Sequence, residues 1–519
     1  MSKQDVKSIE QKTEEENGAY KWIVLGVVLI GAFMAILDTS IVNIALAEMM
    51  SVFGVTYEEI DWVVTAYLLS MGVIQPITGY LSNNFGAKRM YIFSLIVFTI
   101  GSALCGMAWS RESMIFFRII QAIGGGMIMP ISNTIIYQVF PLEERGMALG
   151  IWGIAAMAAP AIGPTLGGYI VQNLNWRVIF TINIPIGIIG VVLAGILLKE
   201  TEIIPSKKFD FIGFITASIG FASVLYALSE ASSKGWDEAY VLAILAVGIL
   251  MLILFVINEL HITEPLIDLR IFKKRNFTFS MISVFFVTIG LYGGIFLLPL
   301  YLQNIRGYTA LQTGLLLMPI AIVTGIMMPI AGWLFDRIGA RPLALTGISL
   351  MVFSMYKLHG LNLVVSSWYI QFWMIIRAIG LGLTMMPVTT AALNAISEPK
   401  MAQAAATRSL VTRVAGSFGL AILSPQLEHR RIFHFNKLAN GLKQGEAIVS
   451  QTLNKLQHGI LVNGNAVEHL QQKALVMLYG NISKQAMANA FGDTFLLVAV
   501  FCSLGLIPAL FIEKHPDKN

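Results

Sequence analysis

Fourteen separate runs of apolar residues, each long enough to cross a bilayer, dominate this sequence. A spanning helix takes about 20 mostly apolar residues, because lipid offers no partner to a free backbone N–H or C=O and a helix satisfies its own. The runs are 21–44, 60–82, 90–109, 114–138, 146–170, 177–198, 211–230, 239–258, 277–302, 311–334, 342–357, 367–393, 402–425 and 491–512. Charges and turn residues separate them, as in NNFGAKR at 83–89 and FDRIGAR at 335–341. The pattern predicts an all-α polytopic membrane protein. Composition agrees, since apolar residues are 56% of the 519 positions and charged ones only 13%. That charged share is about half of what soluble domains carry. A chain this apolar has no way to cover a soluble surface.

Lys and Arg set the orientation. Lys88, Arg89, Lys207, Lys208 and the cluster Lys273-Lys274-Arg275 fall in alternate loops, while the short loops between them hold only Arg111, Arg177, Lys234, Arg306 and Lys357. The basic loops are expected to be cytoplasmic. An even number of spans then puts both termini inside, in a multi-pass protein of the inner or plasma membrane. Residues 1–20 are polar and acidic, with no basic stretch before the first run, so no cleaved signal peptide is expected. The net charge of +5 sets orientation and does not point to nucleic acid.

A low-resolution internal repeat divides the chain. Gly79-Tyr-Leu-Ser-Asn83-Asn84-Phe-Gly86-Ala-Lys88-Arg89 follows the second run, and Gly332-Trp-Leu-Phe-Asp336-Arg337-Ile-Gly339-Ala-Arg341 follows the tenth. Two runs later each copy places an arginine, Arg118 or Arg377, ahead of a glycine-rich stretch. The expected organisation is a tail (1–20), a six-helix bundle (21–198), two inserted helices with linkers (199–276), a second six-helix bundle (277–512) and a tail (513–519). Paired six-helix halves are a transporter signature, with the substrate held between them. Each repeated loop reads either as a gating latch or as a tight turn kept basic for topology. The external segment 426–490 reads as amphipathic helix, either a hairpin packing on itself or a dock or lid for a partner.

Few ionisable groups lie inside the runs. Asp38 is deep in the first, where an ionised carboxylate costs about 2.5–3.5 kcal/mol unless it faces protein or water. It is the leading candidate for proton coupling, the alternative being a hydrogen-bond acceptor for Thr39, Ser40 or Asn43. Arg118 stays charged and suits the same role. Arg377 reads first as a structural pairing residue, and Asn43 joins it as a secondary candidate. Asp61 is either an outer carboxylate on the proton route or an exposed helix-start residue. Asp493 is expected to open the last helix. Gly153 through Gly168, with Pro160, Gly163, Pro164 and Gly167, suits a bent, closely packed helix at a moving interface. The seven histidines and two cysteines form no metal or redox motif, and no Walker motif is present.

Together these stretches resemble the fourteen-helix drug:proton antiporter branch of the major facilitator superfamily, the EmrB/QacA type. The similarity rests on LDTSIVNIAL at 37–46, the loop at Gly79, RIIQAIGGG at 118–126 and the glycine–proline stretch ending GPTLGG. Asn175-Trp176-Arg177, PLIDLRIF at 265–272 and RVAGSFG at 413–419 extend it over nearly the whole chain. One departure is Asn83-Asn84, where the family pattern has Asp then Arg.

The resemblance implies an exporter of toxic or amphipathic compounds that exchanges them for protons by alternating access. No cofactor is expected, because the proton gradient supplies the drive. The implied partners are small-molecule drugs, protons, membrane lipids and, in some members, a periplasmic adaptor with an outer-membrane channel. The alternatives are a dedicated exporter of one metabolite, lipid or siderophore, and a scaffold or sensor that no longer transports.

Overall fold

The computed structural model describes residues 3–141, 144–200, 203, 208–397, 400–444, 453 and 470–513. Among these residues helix is the regular secondary structure, with no strand. The first half holds α1 (Lys3–Phe53), α2 (Tyr57–Phe85), α3 (Ala87–Gly106), α4 (Arg111–Val139), α5 (Arg145–Asn173) and α6 (Val178–Leu197). Two further helices follow, α7 (Phe211–Lys234) and α8 (Ala239–His261). The second half holds α9 (Arg275–Asn304), α10 (Ala310–Ile338), α11 (Ala340–Leu358), α12 (Ser367–Asn394), α13 (Met401–Gln444) and α14 (Leu470–Leu504). Twelve of these are long and apolar enough to span a membrane. The other two, α5 and α11, stand where the sequence expects the fifth and eleventh spans.

Local chemistry fixes the helix starts. Thr56 and Glu59 form a capping box at α2, Ser110 and Ser113 do so at α4, and Thr309 and Gln312 at α10. Each box satisfies backbone N–H groups that the first turn leaves orphaned. The α2–α3 and α10–α11 turns are made by Gly86 (φ +88°) and Gly339 (φ +78°), a conformation that costs other residues energy. Both halves of the repeat therefore turn in the same way.

Helix lengths correct the sequence reading at the external end. α13 continues to Gln444 as one helix of 44 residues, about 66 Å long. α14 already begins at Leu470, so Asp493 lies well inside it and not at its start. The polar extensions of the two helices pack on each other through the rings of Phe435 and Tyr479, 5.3 Å apart. The middle of the expected external segment, 445–452 and 454–469, lies outside the described residues.

Two long contacts join the halves: α5 runs along α10, and α2 runs along α13. α7 packs on both α2 and α13 and so lies over one of these seams. Trp236 at the end of that helix donates from Nε1 to the Ala421 carbonyl of α13 (3.0 Å). Most of α8 is exposed, with Ile249, Leu250, Ile253 and Ile257 about half accessible. Such a face suits lipid.

Candidate functional site

Asp38 and Arg118 form a fully buried ion pair inside the first half, Arg118 Nη1 donating to Asp38 Oδ2 at 2.6 Å. The carboxylate also accepts from Gln121 Nε2 (2.9 Å) and Asn183 Nδ2 (3.0 Å), both on Oδ1. Gln121 stands three residues after Arg118 on the same face of α4, and its Oε1 accepts from Arg118 (2.7 Å). Ser102 of α3 closes the ring, accepting from Gln121 (2.7 Å) and Asn183 (3.3 Å). Arg118 Nε reaches the Val63 carbonyl (3.3 Å), and its guanidinium lies 3.8 Å above the Tyr67 ring. The two charges cancel, which is what makes them tolerable in a medium of low dielectric. Protonating Asp38 would remove its half of the pair and leave Arg118 a lone buried cation.

Of the alternative partners, Thr39 and Asn43 bond elsewhere. Thr39 donates to the Ala35 carbonyl and Asn43, which is exposed, to the Thr39 carbonyl. Asp61 stands one turn inside α2 and accepts from Thr65 (3.0 Å) of its own helix. None of these bonds brings it to the Asp38 network. Arg377 corrects the expectation of structural pairing. It is buried, no carboxylate pairs with it among the described residues, its Nη1 reaches only the Gly290 carbonyl at 3.4 Å, and its Nε has no partner. The two copies of the repeat thus share the arginine and not the acid.

α5 carries contacts to both halves. Cβ atoms built on Gly163 and Gly167 would meet Ser40 and Ile41, just past Asp38 on α1. Those on Gly150 and Gly153 would meet Pro329 and Met328 on α10. Gly168 faces open space, so it takes no part in the packing. The side chains of Pro160 and Pro164 lie outside those described, and the helix runs through both positions.

The repeated loops meet the opposite half in a swapped arrangement. Gly79 packs on the first turn of α13, where a Cβ would come 3.0 Å from Gln403 Cα. Gly332 packs on the first turn of α5, where a Cβ would overlap the Gly146 carbonyl. Asp336 lies beside that same turn, where a carboxylate meets the positive end of the helix. Its counterpart Asn83 is neutral and half-buried, and Asn84 donates to the Tyr80 carbonyl (3.0 Å). Two basic residues bond backbone carbonyls of neighbouring segments. Lys88 Nζ donates to the Gly195 carbonyl (2.9 Å) near the end of α6, and Arg341 Nε to the Ile512 carbonyl (2.6 Å), three residues past the short helix Leu506–Ala509. Arg89 pairs with Glu200 (3.2 Å), and Arg337 lies over the Trp333 ring. At this basic end the two halves are closed on each other.

Sequence reasoning passed over several residues of these sites. Gln121 was legible from its three-residue spacing to Arg118. Asn183 and Ser102 join Asp38 only through packing. Arg408 and Arg413 of α13 also went unread, although both are set between the halves. Asp493 is held by Arg430 Nε (2.6 Å) and His434 Nε2 (2.7 Å), both on the extension of α13.

Comparison with known proteins agrees with this geometry. Residues 28–420 match the Major Facilitator Superfamily profile. The MFS-type transporter YhcA of Bacillus subtilis is 36% identical over 97% of this chain and 95% of its own length. The multidrug transporter protein MdtP of the same organism is 33% identical over 78% of this chain and 74% of its own length. Among solved structures, the proton:xylose symporter XylE superposes with a TM-score of 0.59 at 13% identity, over 93% of this chain and 95% of that one, a likeness of fold alone. Repeat, swapped loop contacts, profile and relatives converge: this multi-pass membrane protein belongs to the Major Facilitator Superfamily.

Proposed function

We propose that this chain exports small amphipathic compounds, drugs among them, in exchange for protons. The observation that carries the proposal is the buried Asp38–Arg118 pair, in which, among the described residues, one carboxylate compensates the arginine beside it. Protonation of Asp38 from outside would release Arg118 and loosen the ring of Gln121, Asn183 and Ser102. The change would pass from α1 to α5 at Gly163 and Gly167, and from α5 to α10 at Gly150. Because these contacts are close-packed, they favour two discrete arrangements over continuous deformation. Release of the proton inward resets the pair.

The relatives support export of more than one compound, MdtP being named a multidrug transporter. In this reading the basic loops and both termini face the cytoplasm of a bacterial inner membrane, the chain is no enzyme, and no cofactor is used. Arg118 acts with Asp38, and the loops at Gly79 and Gly332 form the cytoplasmic gate. An adaptor and outer-membrane channel would meet the protein at the extensions of α13 and α14.

The test is substrate-triggered proton movement in everted vesicles, wild type against Asp38→Asn, over a panel of cationic, neutral and anionic drugs. Proton release by several compounds that disappears in the variant is the expected result. Unchanged release in Asp38→Asn would remove that residue from the mechanism, and silence of folded wild type across the panel would remove antiport itself.

A further inference from the structure

Two arginines at the seam between the halves have no carboxylate partner among the described residues. Arg408 and Arg413 stand on α13, five residues or about 7.5 Å apart along the axis. Arg408 is 8% exposed. Its Nε donates to Thr389 Oγ1 of α12 (3.2 Å), and Tyr137 of α4, in the other half, interacts with it electrostatically. Arg413 is half-buried and reaches the Met71 thioether of α2 with Nη2 (3.4 Å), a weak acceptor. Tyr67 of α2 and Tyr292 of α9 interact with it electrostatically, and its Nε is buried without a partner. Each guanidinium therefore has a partner across the seam, Arg408 through charge and Arg413 through Met71.

No carboxylate pairs with either one among the described residues. The acids nearest in kind are already engaged. Asp38 is held by Arg118, Asp61 by Thr65, Glu230 by Lys234 and Asp493 by Arg430 and His434. A cation withdrawn from water without a carboxylate beside it is costly, so a seam helix that keeps Arg408 buried and Arg413 half-buried invites an anion. The side-chain amides of Asn133 on α4 and Asn394 on α12 are also buried without partners. Unmet polar groups in a native interior ask for a reason. A lipophilic cation entering here would meet two like charges and no acid to attract it.

We propose that this seam binds the anionic group of an amphipathic substrate, a carboxylate above all, with Arg413 as the first contact and Arg408 as the second. Planar guanidinium groups match a carboxylate in two-point fashion. Tyr67 links the site to the proton pair, since its ring carries Arg118 and it interacts electrostatically with Arg413. The inference rests on the exporter reading and narrows its substrate class to amphipathic anions.

Fluorescein and rhodamine 123 share a xanthene scaffold and differ in charge, which makes them a matched pair of probes. Their binding to the full chain in lipid nanodiscs is to be measured by fluorescence anisotropy. Fluorescein is expected to bind more tightly than rhodamine 123, to lose at least tenfold in Arg413→Gln and several-fold in Arg408→Gln, and to lose less in Arg413→Lys. The lysine variant keeps the charge and serves where the glutamine variant does not fold. Tighter binding of rhodamine 123, absence of fluorescein binding, or fluorescein binding unchanged in both glutamine variants overturns the proposal. Proton-driven uptake in vesicles separates the two readings. Movement of rhodamine 123 without fluorescein leaves the exporter and removes the anion site, whereas fluorescein binding without any proton-dependent movement leaves the site and removes the exporter.

Discussion

Replacing Gly150 by alanine should open the basic end of the molecule. A Cβ at this position would lie 2.6 Å from Pro329 Cα, 2.7 Å from the Met328 carbonyl oxygen and 2.8 Å from Pro329 N. All three are backbone atoms of α10, so no side chain can rotate out of the way. Ordinary contact begins at 3.4 Å, and α5 and α10 must therefore part by about 0.8 Å at the crossing. Overpacking of this kind costs about 1–3 kcal/mol. Charged to the closed arrangement alone, that shifts the closed-to-open ratio by about 5- to 150-fold. The control sits in the same helix: Gly168 has nothing within 4 Å, so Gly168→Ala should be neutral or slightly stabilising. Spin labels on Pro141→Cys and Ile338→Cys, both exposed, report the separation of the two ends. Native Cys105 and Cys502 are buried and will take little label. Pulsed electron paramagnetic resonance should show a longer-distance population in Gly150→Ala and a wild-type distribution in Gly168→Ala. A wild-type distribution in Gly150→Ala, or the same shift in Gly168→Ala, refutes the argument that backbone contact of α5 with α10 holds this end shut.

Other outcomes follow from the same geometry. Arg118→Met should lower the melting temperature sharply, because Asp38 is left buried and uncompensated at about 3–5 kcal/mol. Arg377→Met should raise it, since that cation has no carboxylate partner; a fall of similar size would show that an unseen anion holds Arg377. Lys88→Ala should cost about 0.3–1 kcal/mol through loss of a helix-end cation, measured by thermal unfolding in detergent. Asp493→Asn should loosen the extensions of α13 and α14, seen as faster hydrogen exchange over 425–444 and 470–490, with exchange near Asp38 unchanged.

Much of the fold was legible because lipid allows so few solutions. Apolar runs of spanning length must be helices, and the recurrence of the Gly79 loop at Gly332 showed that two halves share one plan. The length of α13 was not legible, since an amphipathic external segment continues a helix without any stop signal at the membrane surface. Asp38 and Arg118 stood out as charges in apolar helices, yet nothing in the spacing said that they meet, 80 residues apart. Arg408 and Arg413 are likewise charges within an apolar run, and what the sequence hid was their surroundings, which come from four other helices.

What the chain alone determined is therefore local and periodic: the number of apolar runs, the glycine turns, the capping boxes and the repeat. Those features depend on near neighbours in sequence and on the bilayer, which acts on every residue alike. Only the tertiary structure decided which charges cancel and which do not. Asp38 meets Arg118 while Arg377, Arg408 and Arg413 meet no acid among the described residues, because electrostatic compensation depends on distances between helices that sequence spacing does not encode.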